Sequence, residues 1–253
     1  MPIPSLDQLI DQVDKVLPVP SVAMQVIKLL DVPDSSVKDV AEVLSQDQGL
    51  TANVLKLANS AYYGMPRRVT SKPLVGYKLE SGMLWEHSLA AAVIGKYLAK
   101  TFKLRDPESF YVSGLLHDVG KLILSIYLPV EFSNIIALVE KGKTFAEAEG
   151  EILGYDHTQV GGIICDKWQL PEIIVEGVRY HHTPKAGSQS SHITHLANAM
   201  ALILGHGTMG AATMATTIDE DILRLYVTDE DQWFALLEKA EEQVMLALHA
   251  SKY

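Results

Sequence analysis

Apolar residues recur at every third and fourth position along most of this chain, and that spacing predicts α-helix nearly throughout. Leu84, His87, Ala91, Ile94 and Leu98 fall on one helical face. His157, Val160, Ile164 and Trp168 fall on another, and Ile174, Val178 and His181 on a third. Sustained alternation, the mark of a half-buried strand, is nearly absent. The pattern gives helices over 5–16, 21–30, 37–46, 50–59, 84–101, 107–127, 129–140, 144–153, 157–168, 171–181 and 191–204, with a closing segment from Asp219 onward in which Asp229 to the end reads as an amphipathic helix. Asp106-Pro107-Glu108 supplies an aspartate cap, a proline at the first helical position and an acid in the first turn. The expected fold class is all-α.

Two stretches break the periodicity: 64–82, and 183–190, which is rich in Pro, Gly and Ser. The first separates a histidine-free front from a histidine-bearing remainder. The expected organisation is therefore an N-terminal helical lobe, 1–70, followed by a second lobe, 71–253.

The histidines change the picture from a helical scaffold to a candidate metal site. His117-Asp118 sits in the apolar run Gly114 to Leu122, with His87 before it and His157 and the pair His181-His182 after it. Neutral imidazoles suit zinc, iron, nickel or copper, and a carboxylate adds charge and bridges ions. Two ions held in this way activate water and clamp a phosphoryl oxygen. An imidazole on a buried helix face needs a partner, which for any single histidine is more often a backbone carbonyl than a metal. Six candidate ligands with adjacent His-Asp and His-His pairs favour metal. His192, His195, His206 and His249 are expected to be surface or hydrogen-bonded residues, although His195 shares a helix face with Asn198 and is placed to approach the site.

Charge and cysteine content narrow the partners. A formal net charge of −10 argues against a general nucleic-acid binder, which needs a basic stripe to displace phosphate counterions. The single cysteine, Cys165, excludes an internal disulfide and fits a reducing cytoplasm; its apolar surroundings suit a core residue rather than a reactive thiol. The start of the chain carries Asp7, Asp11 and Asp14 in place of a basic, apolar leader, and no apolar run suits a membrane span.

The front of the chain reads Leu17-Pro18-Val19-Pro20-Ser21, then Asp47-Gln48-Gly49-Leu50-Thr51, then Val54 to Gly64. This resembles the amino-terminal helices of HDOD domains, a bacterial signalling offshoot of the HD phosphohydrolase superfamily. Trp85-Glu86-His87-Ser88, Gly114 to Leu122, Gly154-Tyr155-Asp156-His157, Trp168-Gln169-Leu170-Pro171 and His181-His182 continue the resemblance in order. It implies a two-lobed helical fold with a metal site between helices of the second lobe. His87, His117 and Asp118 resemble ligands of one ion, with Asp118 reaching a second. His157, His181 and His182 are similar to the second-metal histidines of the HD-GYP branch, which hydrolyses cyclic dinucleotides. Lys121, one turn beyond His117, is placed to meet phosphate in related enzymes; a solvated surface lysine is the alternative.

Three departures bear on activity. Asn198 stands where the superfamily places its last aspartate, a neutral and weaker ligand. Thr183 to Ser188 contains no Gly-Tyr-Pro signature, so cyclic dinucleotide hydrolysis does not carry over. The connection from Val69 to Tyr77 is shorter than the family's usual helical link. The resemblance therefore implies a cytoplasmic signal-transduction module with a centre of one or two divalent ions, Fe, Mn, Zn or Ni, binuclear unless Asn198 empties its half, acting with a signalling protein or a nucleotide or other phosphate-containing ligand. The alternative is an active phosphohydrolase or phosphodiesterase in which Asp118 and Lys121 are catalytic.

Overall fold

Local capping chemistry fixes several helix starts. Thr144 accepts from the backbone N–H of Glu147 while the Glu147 carboxylate accepts from the backbone N–H of Thr144, and Asp156 and Gln159 form the same reciprocal box. The second box sets His157 as the first residue of its helix. Asp106 precedes a helix as the sequence predicts, with Pro107 at its first position, but its carboxylate takes the Ser109 hydroxyl and makes no cap to a backbone N–H.

The computed structural model describes residues 3–16, 77, 83–207 and 218–250. The helices expected over 21–30, 37–46 and 50–59, the lobe boundary at 70–71 and the connection expected to be short, up to Tyr77, lie outside the described residues. Within them the helices are α1 (Leu6–Val16), α2 (Met83–Thr101), α3 (Pro107–Leu116), α4 (Val119–Tyr127), α5 (Phe132–Val139), α6 (Phe145–Leu153), α7 (His157–Lys167), α8 (Glu172–Arg179), α9 (Gln189–Ile203), α10 (Glu220–Arg224) and α11 (Glu230–Ala250). No strand occurs among the described residues, and none of their helices is long and apolar enough to cross a membrane. The predicted 183–190 loop contains a 3-10 turn, Pro184–Ala186.

One expected helix is divided: the 107–127 segment breaks at His117-Asp118, where Asp118 leaves helical geometry (φ −100°, ψ 12°). Apolar periodicity is blind to this break because buried apolar positions run on across it, from Leu115 and Leu116 to Val119, Ile123 and Leu124. In the closing segment the short α10 precedes α11, which begins at Glu230, as the amphipathic pattern from Asp229 predicts.

The helices enclose two hydrophobic clusters. One joins α1, α4, α5, α6, α7 and α8 around Leu124, Ile135, Ile164 and Val178. The other joins α2, α3, α9, α10 and α11 around Ile94, Phe110, Leu196 and Met200. Burying each of these larger side chains is worth roughly 1.5–3 kcal/mol. Cys165 is buried in the first cluster, and burial pushes its thiol pKa up to about 12, so it is a core residue without thiolate reactivity. Close approach locks α3 onto α2 within the second cluster: a side chain on Gly114 of α3 would start 2.6 Å from the Ala91 carbonyl oxygen of α2. That contact brings the end of α3, and hence His117, up to His87.

Candidate metal centre

At the meeting of the two clusters lies a group of polar side chains from five places in the chain. His87 comes from α2, His117 and Asp118 from the α3–α4 break, His157 from the start of α7, His181 and His182 from the end of α8, and Asn198 from α9. His87, His117, Asp118, His157 and His181 are all buried, and His182 is half-buried. The structure brings together every residue that the sequence reading places in the site.

Each imidazole has a fixed orientation. The Nδ1 of His87 donates to the His206 carbonyl, that of His117 to Gly114 and that of His181 to Val178, each at 2.7 Å. The Nδ1 of His157 donates to the Glu149 carboxylate at 2.6 Å. Acceptors at Nδ1 leave a lone pair on Nε2 of the neutral ring, and these lone pairs point inward. The Nε2 atoms of His87 and His117 face one another at 3.1 Å. Two lone pairs at that distance repel unless a cation or proton lies between them.

Asp118 divides the group into halves. Its Oδ2 lies 3.7 Å from His87 Nε2 and 3.4 Å from His117 Nε2; its Oδ1 lies 3.4 Å from His157 Nε2 and 3.8 Å from His181 Nε2. The donor atoms of His87, His117 and Asp118, and separately those of His157, His181 and His182, lie within 4.8 Å of one another. Ligands about 2.1 Å from a tetrahedral ion stand roughly 3.4 Å apart, so the nearer of these separations already match a coordination sphere. Asp118 Oδ1, His157 Nε2 and His181 Nε2 have no hydrogen-bond partner although they are buried. Leaving one such atom unsatisfied costs about 1–3 kcal/mol, and divalent ions would satisfy all three.

The electrostatics suit cation binding. Burial lowers the pKa of His117 to about 4; burial, reinforced by neighbouring imidazoles, takes His181 and His182 well below their ordinary value. Burial raises Asp118 as well, but His117, Lys121, His157 and His87 outweigh it and hold the carboxyl well below the usual range. With His87 and His117 uncharged at neutral pH, the Lys121 ammonium, 2.7 Å from Oδ2, is the cation that acts there. Lys121 is thus an ion-pair partner of the site, 16% exposed, rather than a solvated surface residue.

A pH dependence follows for the metal-free protein. His117, His181 and His182 have folded pKa values below their unfolded ones, so between about pH 6.5 and pH 4 the unfolded chain takes up protons that the fold refuses. Stability should fall as pH drops through that window, by about 1.4 kcal/mol per pH unit for each such histidine. Urea denaturation of metal-free protein from about pH 7 down to about pH 5 checks this. A flat or rising midpoint on acidification would contradict it.

Asn198 is buried within hydrogen-bonding reach of the His87 ring. His195 stands behind the site: its Nδ1 donates to the His181 carbonyl at 2.8 Å and its Nε2 accepts from the Asp219 backbone at 3.0 Å. Both ring nitrogens are thereby occupied, as expected of a hydrogen-bonded core histidine. His192 meets the Tyr226 hydroxyl at 3.2 Å.

The sequence reading missed Glu149. This carboxylate is fully buried and accepts from the His157 ring, from the His157 backbone N–H at 2.8 Å and from the Tyr77 hydroxyl at 2.7 Å. Its signal in the sequence is an acid in line with Phe145 and Leu153 on the apolar face of α6.

Comparison with known proteins agrees with this architecture. The HDOD domain family model matches residues 16–73 and 70–184, two stretches that overlap at 70–73. The chain is 25% identical to an HDOD domain protein of unknown function from Geobacter sulfurreducens over 97% of its own length and 96% of the other, with a TM-score of 0.63. A candidate phosphohydrolase from Shewanella amazonensis SB2B is also 25% identical, with 94% and 96% covered and a TM-score of 0.62. A candidate signal transduction protein from Marinobacter aquaeolei VT8, 17% identical with 99% and 67% covered, shares the fold at a TM-score of 0.62. An uncharacterized protein of Treponema pallidum (strain Nichols) is 24% identical over 68% of this chain, which spans only 38% of that relative's length.

Proposed function

The chain belongs to the HDOD domain family, and from that membership we propose a bacterial signal-transduction module built around a binuclear centre of divalent transition metal. In this reading residues 1–70 form the N-terminal lobe and 71–253 carry the centre. The protein works in the cytoplasm on a signalling partner or a phosphate-containing ligand. His87, His117 and Asp118 hold one ion; His157, His181, His182 and the same carboxylate hold the other. Asn198 supports the first half as a neutral group. When bound, ions of this kind supply Lewis acidity and lower the pKa of water.

The observation that carries the proposal is the set of buried inward atoms without partners: Asp118 Oδ1, His157 Nε2 and His181 Nε2. A core that needed these side chains only for packing would have satisfied them. The fixed Nδ1 donors add to this, since outer partners that orient a ligating imidazole are characteristic of metal sites. Elemental analysis of purified protein tests the proposal, with two equivalents of Fe, Mn, Zn or Ni expected. Chelation should lower the melting temperature, since an ion at about 1,000 times its Kd stabilises the fold by about 4 kcal/mol. Metal-free protein that neither takes up these ions nor changes its melting temperature on their addition would defeat the proposal.

One observation favours a second reading, metal-dependent hydrolysis of a phosphomonoester or phosphodiester. Lys121 and His182 are partly exposed members of the group, and Lys121 sits on the carboxylate that both halves share. There Lys121 would hold a substrate phosphate while Asp118 orients the reacting groups. Turnover of a generic phosphodiester, nucleotides or cyclic dinucleotides by the loaded protein, lost in Asp118→Ala, would establish it. No turnover above that control leaves the signalling module alone.

A further inference from the structure

The two halves of the centre are built from different chemistry. Behind His87 and His117 stand neutral backbone carbonyls, of His206 and Gly114, and beside His87 stands the neutral Asn198. In the other half His181 likewise rests on a carbonyl, that of Val178, but behind His157 stands a carboxylate, Glu149, buried completely and held by three donors. A carboxylate at Nδ1 makes Nε2 a stronger donor to a metal than a carbonyl does.

Asp118 is asymmetric in the same sense. Its Oδ2, which faces His87 and His117, already accepts from the Lys121 ammonium at 2.7 Å. Its Oδ1, which faces His157 and His181, has no partner. A cation entering the His87 side must share its carboxylate oxygen with a positive charge. A cation entering the His157 side meets an open lone pair on oxygen and two more on His157 and His181.

Resting on the metal-centre reading above, we infer that the halves fill in order: the first ion goes to His157, His181, His182 and Asp118 Oδ1, and Glu149 is the positioning residue that secures this preference. Glu149 touches no ion. It acts through the His157 ring, fixing its tautomer and orientation by the Nδ1 bond and fixing the start of α7 by the bond to the His157 backbone. The Tyr77 hydroxyl anchors the other carboxylate oxygen, so Glu149 cannot turn away without losing that bond. The His87 half fills second and more weakly, which makes it the exchangeable position in the module.

Zinc titration of the metal-free full chain tests this, read by calorimetry and by side-chain nitrogen resonances of its histidines. Below one equivalent, the resonances of His157, His181 and His182 should move while those of His87 and His117 stay. A weaker second step then moves the latter. Glu149→Gln keeps the shape and, through its one remaining oxygen, an acceptor for His157, while its amide N–H donates to the Tyr77 oxygen in place of accepting from it; the charge is removed, and the first step should weaken by about 10- to 100-fold. Asn198→Asp should instead tighten the second step and leave the first in place. Movement of His87 and His117 first, movement of all five together, or a Glu149→Gln protein with wild-type affinity would each overturn the inference without touching the metal-centre reading. No heat and no shifted histidine would overturn that reading itself. Should Glu149→Gln not fold, as circular dichroism reports, the filling order in the unaltered chain still decides.

Discussion

Replacing Asp118 with alanine should empty both halves of the centre at once. Among the described residues Asp118 is the one carboxylate in either candidate ligand group, and its two oxygens face different histidine pairs. Without it, an ion in the His87 half would sit among neutral imidazoles beside the Lys121 ammonium, and one in the His157 half would keep only the Glu149 carboxylate, a ring's width away behind His157, in a buried setting where repulsion is poorly screened. Affinity at each half should fall by more than the about 100-fold that losing an outer partner costs. Elemental analysis after exhaustive dialysis reads the effect. Thermal melting gives a second measure, since wild type should gain stability on adding metal and Asp118→Ala should not. Asp118→Asn, which preserves the volume, should behave in the same way, and this separates the lost charge from a cavity. Retention of either ion at the wild-type level by both variants would refute a shared carboxylate.

Gly120→Ala is expected to be the most destabilising small substitution in the described residues. A methyl group there would start 1.9 Å from the His157 carbonyl oxygen, 2.7 Å from its carbonyl carbon and 3.0 Å from the Gly161 nitrogen. All three neighbours are backbone, so relief requires α4 and α7 to separate. Overpacking of well-filled interiors costs about 1–3 kcal/mol where side chains can adjust. Here the cost should reach or exceed the upper end, a large share of the roughly 5–15 kcal/mol that holds a typical domain together. Because the atom struck belongs to His157, metal binding should weaken together with stability. Gly150→Ala serves as the control, since a methyl group there meets nothing within 4 Å and alanine favours the α6 helix by about 0.5–1 kcal/mol. Equal urea midpoints for Gly120→Ala and wild type would show that the two helices are not locked at this contact.

The contrast between these residues shows how the sequence encodes the site. His87 and His157 were legible because each interrupts an apolar stripe with a group that needs a partner, and Asp118 because it follows a buried histidine directly. Glu149 interrupts the stripe of α6 in the same way, yet a single acid on a helix rich in other acids carries little signal by itself. Tyr77 and the His206 carbonyl carry none, since a backbone oxygen has no sequence signature and a tyrosine is at home in any core. The break at His117-Asp118 also escaped periodicity, because the apolar faces of α3 and α4 both turn inward and the pattern runs on across the turn.

The sequence by itself determined the helical class and most helix positions within the described residues, and it singled out the histidines and Asp118 that the fold gathers, because apolar spacing and residue type are local properties that survive without a fold. Tertiary packing decided how that group is divided. The Asp118 oxygens face opposite histidine pairs, Lys121 occupies one of them, and Glu149 stands behind only one half, through contacts among α2, α4, α6, α7 and the end of α8. Distances of a few ångströms between residues far apart in the chain arise from helices closing on glycines such as Gly114 and Gly120, and no local pattern of residues records which side of a carboxylate each helix will bring to rest.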